Sequence, residues 1–167
     1  SLTFSVTAGT TYYVFADGWQ DTSGEFLLSA VVSGGVPGDS CPGVNVPIGG
    51  IGEQASVSGN TAPANADTEG SGNCDSPATP EVVYRVTPVE DGRLALALDP
   101  SFDASLYVRT DCEDTATEID CAEVGGMAEL ETLIFDVSAG VDYFVYVDGW
   151  DGQSGSFNLE FTMLPSN

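Results

Sequence analysis

The sequence predicts an all-β protein, a jelly-roll-like antiparallel β-sandwich, and three observations support this fold class. Short runs rich in strand-forming residues recur along the chain, among them LALAL at 94–98 and YFVYV at 143–147. Turn-forming pairs such as Asp91-Gly92 and Asp99-Pro100 separate these runs. No segment shows a sustained helical period. Several short strands at this spacing usually close as a sandwich or a barrel.

The beginning of the chain repeats its end. Residues 2–32 match residues 133–163 at a constant offset of 131, with 14 identities in 31 positions. The pattern predicts one complete repeat preceded by the closing strands of another. We therefore assign residues 1–32 to a partial repeat, residues 33–37 to a linker rich in glycine and proline, and residues 38–165 to a complete β-sandwich repeat.

Each part of the chain has its own strand signals. In the partial repeat, the alternating residues Leu2 to Val6, YYVFA at 12–16 and FLLSAVV at 26–32 predict three strands. In the complete repeat, EVVYRV at 81–86 and SLYVR at 105–109 are typical of buried sandwich strands.

The partial repeat is expected to have a packing partner, because a piece of about three strands cannot bury a core alone. Two arrangements stay open. The piece packs in its own chain or in a tandem array, or it completes the sandwich of another molecule and joins copies into a filament.

The charge balance excludes several classes of function. The chain has 26 carboxylates against three arginines, a net charge of −23, and neither lysine nor histidine. Such a surface repels nucleic acid and anionic membranes, and no apolar run approaches membrane-spanning length. Without histidine or lysine, Ser-His-Asp and Cys-His sites, Schiff bases and phosphate-loop lysines are excluded. The sequence therefore predicts a protein that is not an enzyme.

Four cysteines, Cys41, Cys74, Cys112 and Cys121, show no C-x-x-C spacing. An even number of cysteines in this pattern favours disulfides formed in an oxidising compartment over a zinc site. Three pairings are open, and we expect Cys41–Cys74 and Cys112–Cys121, because the second bridge would close a short loop between neighbouring strands. We also expect an extracellular or cell-surface location.

A loop with alternating oxygen side chains is the candidate metal site. Asn65, Asp67 and Glu69 alternate immediately before Gly70, which follows the logic of D-x-[DN]-x-[DN]-G calcium loops, and Asp75 is the nearest distal ligand. The predicted cofactor is therefore calcium. The alternative interpretation is an acidic, glycine-rich loop that only connects strands.

Two tryptophans are the candidate ligand-binding residues. Trp19 and Trp150 follow an Asp-Gly pair at equivalent positions of the repeat. An exposed indole could stack on an extracellular polysaccharide or on a protein partner. The alternative is that each indole covers the end of its own sandwich.

Several segments together resemble the bacterial pre-peptidase C-terminal domain. They are GDSC at 38–41, NCDSPATPEVVYRV at 73–86, DASLYVRTDC at 103–112, and SAGVDYFVYVDG with the later GSFNLEF in the closing strands. Glu81 departs from the pattern, since the family more often has aspartate there. The resemblance implies a jelly-roll-like, non-catalytic domain of secreted enzymes or surface proteins, where it serves export, anchoring or substrate binding. Some relatives, the clostridial collagen-binding domains among them, bind calcium.

Three functions are compatible with these observations. The first is a non-enzymatic structural or adhesive repeat of a secreted or cell-surface bacterial protein, stabilised by calcium. The second is a carbohydrate- or protein-binding accessory domain of a secreted hydrolase. The third is a self-assembling filament subunit that uses strand complementation. The expected partners are other repeats or copies of the same protein.

Overall fold

The chain divides into two compact units, residues 1–33 and residues 34–167. The computed structural model describes residues 10–18, 24–29, 35–74 and 79–167.

The strands predicted for the partial repeat are absent from its described residues. Residues 10–18 and 24–29 have no regular secondary structure. Their large apolar side chains are exposed, Phe15 by 89% and Leu27 by 93%. A strand needs a covering layer for its apolar face, and a segment of about thirty residues cannot supply one. The first predicted strand, Leu2 to Val6, lies outside the described residues, as do residues 30–32 of the third.

The second unit confirms the predicted fold class, an all-β antiparallel sandwich. Its described residues form nine strands and two short 3-10 helices, the latter at Gly72–Cys74 and Thr115–Thr117. The strands are β1 (Val44–Val46), β2 (Gln54–Asn60), β3 (Val82–Val86), β4 (Gly92–Pro100), β5 (Ala104–Arg109), β6 (Glu118–Ala122), β7 (Glu131–Val137), β8 (Tyr143–Gly149) and β9 (Ser156–Leu164).

The strands form two sheets. One sheet has the order β1-β3-β8-β5-β6, and the other has the order β2-β9-β4-β7. The strand pairs are antiparallel except for the short parallel pair of β1 and β3. The last three strands are divided between the sheets, since β8 lies at the centre of the first while β9 and β7 belong to the second. The closing strands of the repeat are therefore integral to both layers.

The core lies between the sheets and follows the two-residue period of the strands. In β4, Leu94, Leu96 and Leu98 are at most 2% exposed, whereas the alternate residues Ala95 and Ala97 are half-buried. This alternation is the one expected of a sheet that packs one face on a core and leaves the other accessible to solvent.

The five-stranded sheet is buried on both faces at its centre. Every residue of β5 and β8 is buried, so alternation is lost there. The outer face is covered by residues 65–74, which we call the strap, and Cys74 at its end packs with Tyr107 and Tyr146 in a second apolar cluster. The nearly continuous apolar runs in the sequence reflect this second layer.

Candidate functional site

Arg109 is the centre of the outer-face cluster. It is the last residue of β5 and is fully buried. Its guanidinium carbon lies 4.9 Å from the ring centroid of Tyr107 and 4.7 Å from that of Tyr146. The two rings stack on each other with centroids 4.9 Å apart. Their faces carry partial negative charge, so they stabilise a cation that has lost its water.

The strap supplies oxygen atoms to this guanidinium. Arg109 Nη1 donates a 2.9 Å hydrogen bond to Thr68 Oγ1, and Nη2 donates to the carbonyl oxygen of Glu69. Its Nε lies 3.7 Å from Glu118 Oε2, an ion pair that is too long for a hydrogen bond. Glu118 Oε1 in turn accepts hydrogen bonds from the backbone N and the hydroxyl of Ser71. Arg109 and Glu118 therefore join the sheet to three residues of the strap.

Two buried carboxyl groups lie on the same outer face. Glu81 is 4% exposed and accepts hydrogen bonds from the backbone N of Asp67 and Thr68. Asp148 is fully buried and accepts from Thr79 Oγ1, the Tyr107 hydroxyl and its neighbouring backbone N. Burial raises the pKa of Glu81 to about 7 and that of Asp148 to about 6, because a carboxylate loses hydration there.

A pocket of about 230 Å³ opens beside the strap. Its ionisable walls are Asp39, Asp67, Glu81, Glu113 and the Tyr146 phenol, and the Cys41–Cys112 bridge also lines it. The ionisable lining is therefore entirely of acidic type.

The disulfide pairing differs from the prediction. All four cysteines are in bridges, but the pairs are Cys41–Cys112 and Cys74–Cys121, so the expected Cys41–Cys74 and Cys112–Cys121 pairing is wrong. The reason is the register of β5 and β6, which places Cys121 opposite Tyr107 on the outer face. There Cys121 meets Cys74 of the strap, whereas Cys112 lies past the end of β5, beside the Tyr146 hydroxyl and Cys41.

Three of the four residues predicted to bind calcium lie in the described part of the chain. The Asn65 amide donates to Asp39, and the side chains of Asp67 and Glu69 are exposed. Asp75 lies outside the described residues. In the part of the chain that is described, no group of three or more Asp, Glu, Cys or His side chains is placed to hold a metal ion. The calcium site therefore stays a prediction.

Acidic residues in the β5–β6 connection form a capped turn. Asp114 is the N-cap of the 3-10 helix Thr115–Thr117, and its carboxylate accepts from the backbone N of Ala116. Asp111 accepts in the same way from Glu113 N. These carboxylates satisfy local backbone groups, as acidic residues in turns commonly do.

Trp150 is partly buried at the start of the β8–β9 connection. Its backbone N donates a 2.9 Å hydrogen bond to Asp103 O, and Gln153 N donates to Trp150 O. The Trp150 backbone is thus held in a tight turn, and ligand binding by its indole stays a prediction. Trp19 lies outside the described residues.

Sequence reasoning missed Arg109, Tyr107 and Asp148 as members of one site. One signal was present, since Arg109 ends the apolar run SLYV and is one of only three basic residues in the chain. A charged residue in a buried strand requires a partner, and that requirement could have directed attention to the loops that cover the sheet.

The comparisons with known proteins concern the fold. No protein-family model matches the sequence, and no curated protein matches it. The chain is similar to the pre-peptidase C-terminal domain of a collagenase from Bacillus anthracis, at 13% identity and a TM-score of 0.45, over 71% of this chain and 94% of that one. It is also similar to PliG, a periplasmic inhibitor of g-type lysozyme from Aeromonas hydrophila, at 13% identity and a TM-score of 0.47, over 72% and 94%.

The disulfides bear on location. The paired cysteines indicate folding in an extracellular or periplasmic compartment, since reducing compartments rarely retain such bridges. Among the described residues, no helix is long and apolar enough to cross a membrane.

Proposed function

We propose that residues 34–167 are a non-enzymatic structural repeat of a secreted or cell-surface protein. The repeat bears tension or acts as a spacer along an extended chain. The observation that supports this proposal is the placement of the two ends of the repeat. Gly38 O accepts a hydrogen bond from Val83 N, beside the start of β3. Leu164 pairs with Arg93, at the turn that follows the end of β3. The chain therefore enters and leaves the sandwich at opposite ends.

The last strand suits this role. β9 pairs along its length with β2 on one side and with β4 on the other. Tension between the two ends pulls β9 along its own axis, so many backbone hydrogen bonds resist the pull together rather than one at a time. The internal sequence repeat at an offset of 131 residues supports an array of such units in the parent protein.

The chemistry of the chain also supports a role without catalysis. It has no histidine or lysine, and two of the buried ionisable side chains, Arg109 and Asp148, are engaged in structural contacts. The adhesive role expected from the sequence belongs to the same proposal. The outer, solvent-accessible face of the four-stranded sheet is the surface that would contact a partner.

Single-molecule force spectroscopy on a chain of several linked copies tests the proposal. Under oxidising conditions we expect regular unfolding steps, with the Cys41–Cys112 bridge removing 71 residues from the extensible path. Reduction should lengthen each step by about 240 Å, at about 3.4 Å per residue. Copies that extend without a force peak would contradict a structural role under tension.

A further inference from the structure

The strap closes over a positive charge that belongs to the protein itself. Three strap residues contact this charge or its ion-pair partner. Thr68 and Glu69 accept hydrogen bonds from Arg109, and Ser71 donates to Glu118, the ion-pair partner of Arg109. The Arg109 side chain is fully buried and that of Glu118 is 5% exposed. These contacts fix the middle of the strap, while the Cys74–Cys121 bridge fixes its end.

The same stretch has the sequence pattern of a calcium loop, but its oxygens are used differently. The inward-facing acceptors are a hydroxyl and a backbone carbonyl, and both bind the guanidinium. The carboxylates of Asp67 and Glu69 face solvent. A guanidinium has five N–H donors in one plane, so it can satisfy several acceptors that would otherwise surround an ion.

We propose that Arg109 is the internal cation around which the strap closes, and that it performs the ordering that a bound metal ion performs in loops of this pattern. An arginine remains charged at every physiological pH and cannot dissociate from its own chain. The strap is therefore a permanent cover over Tyr107 and Tyr146, and its closure does not depend on the supply of calcium.

Cleavage by a glutamate-specific protease tests the proposal, because Glu69 lies in the strap and is exposed. Mass spectrometry of the reduced digest measures cleavage after Glu69, with cleavage after Glu129, in the exposed β6–β7 connection, as the internal reference. We expect the wild-type chain to resist cleavage after Glu69 equally in calcium and in a chelator. Arg109→Met should accelerate that cleavage by about tenfold or more, since a buried acid and two acceptors lose their partner. Added calcium should not restore protection.

Two variants keep the test decisive. Arg85→Met removes another arginine, on strand β3 of the same sheet, whose side chain contacts Asn45 rather than the strap, and it should leave cleavage after Glu69 unchanged. Glu118→Gln preserves the shape of the side chain and removes only the negative charge that is paired with Arg109, so it should also open the strap. This variant serves as the test if Arg109→Met does not fold. The proposal is overturned if the chelator alone opens the wild-type strap, or if Arg109→Met and Glu118→Gln both leave it protected.

Discussion

The hydroxyl of Tyr107 donates a 3.1 Å hydrogen bond to Oδ2 of Asp148, in the interior between the five-stranded sheet and its cover. Thr79 binds the other carboxylate oxygen at 2.7 Å, and Glu81 lies nearby, immediately before β3, where the charge of Asp148 further raises its pKa. Because both carboxyl groups are buried and poorly hydrated in the folded state, the stability of the fold depends on pH.

Stability should fall as the pH rises from acid to neutral. The pKa values of Asp148 and Glu81, about 6 and about 7, lie above the 3.8 and 4.5 of the free side chains, so the folded state binds protons more tightly than the unfolded state. The stabilisation is complete below about pH 4 and is lost as the pH passes through about 6 to 7. The two shifts together correspond to about 6 kcal/mol at most, since each pKa unit is worth about 1.4 kcal/mol. Urea unfolding at pH 5 and pH 8, at constant ionic strength, measures the difference.

Asp148→Asn is the matched variant for this prediction. It keeps the size of the side chain and an oxygen for Thr79, but it cannot titrate. We expect it to flatten the dependence of the unfolding free energy on pH, so that its deficit relative to wild type is smaller at pH 8 than at pH 5. Parallel pH profiles for the two proteins would show that Asp148 does not contribute to the dependence, which would then belong to Glu81 or to other carboxylates.

The crossed bridges should both contribute to stability. Cys41–Cys112 and Cys74–Cys121 span 71 and 47 residues, and loops of this length correspond to about 4 kcal/mol each in the chain-entropy account, often less in practice. Replacing Cys74 and Cys121 by alanine should cost more than replacing Cys41 and Cys112, because Cys74 is fully buried and ends the strap. Urea unfolding of the two double variants, after peptide mapping of the remaining bridge, measures the order. Equal losses would show that the strap adds nothing beyond loop closure.

The bridges illustrate what the sequence can and cannot predict. Strands β3, β5 and β8 are predictable because their residues are apolar and locally patterned, and local pattern depends on neighbours in sequence. Pairing of cysteines depends on which loops cross the outer face, and no local signal carries that information. The predicted Cys112–Cys121 bridge is wrong because closeness along the chain does not guarantee that two sulfur atoms meet in space.

The strap is a second example of a contact that the sequence pattern does not predict. Its alternating Asn65, Asp67 and Glu69 have the pattern of metal ligands, but the cation nearest to the strap backbone comes from β5, 40 residues away in sequence. Only the folded sheet brings Arg109 beneath the strap. The strand predicted at 12–16 fails for a related reason, since pattern alone cannot supply the second layer that a strand needs.

Salt should stabilise the protein. A net charge of −23 on a chain of this length produces repulsion between carboxylates. The repulsion is stronger in the folded state, where the charges lie closer together, and added salt screens it. We expect the melting temperature to rise steadily between about 0.05 and 1 M sodium chloride, with each kcal/mol of stabilisation raising it by about 2 to 4 °C. A melting temperature that is constant or falls over this range would show that the acidic surface is already compensated.

Gly59 should not accept even one added carbon. A Cβ at this position of β2 would lie 2.4 Å from the Phe157 ring and 2.8 Å from the Tyr84 hydroxyl, and both of these side chains are buried in the core. Gly59→Ala should therefore destabilise the fold by about 1 to 3 kcal/mol, which urea unfolding measures. Gly35→Ala is the control, because a Cβ added at that position would have no neighbouring atom within 4 Å. Equal stabilities for the two variants would mean that the sheets separate easily at the β2 edge.

The second unit should fold without the first. All nine strands of the described sandwich belong to residues 34–167, and β7 to β9 already complete both sheets. A chain shortened to residues 34–167 should therefore keep the unfolding free energy of the full chain. It should also associate less, because the exposed apolar side chains of the first unit, Tyr13, Phe15 and Leu27 among them, are removed. Urea unfolding and light scattering measure the two effects. A marked loss of stability would show that residues 1–33 stabilise the sandwich, in their own chain or in another copy.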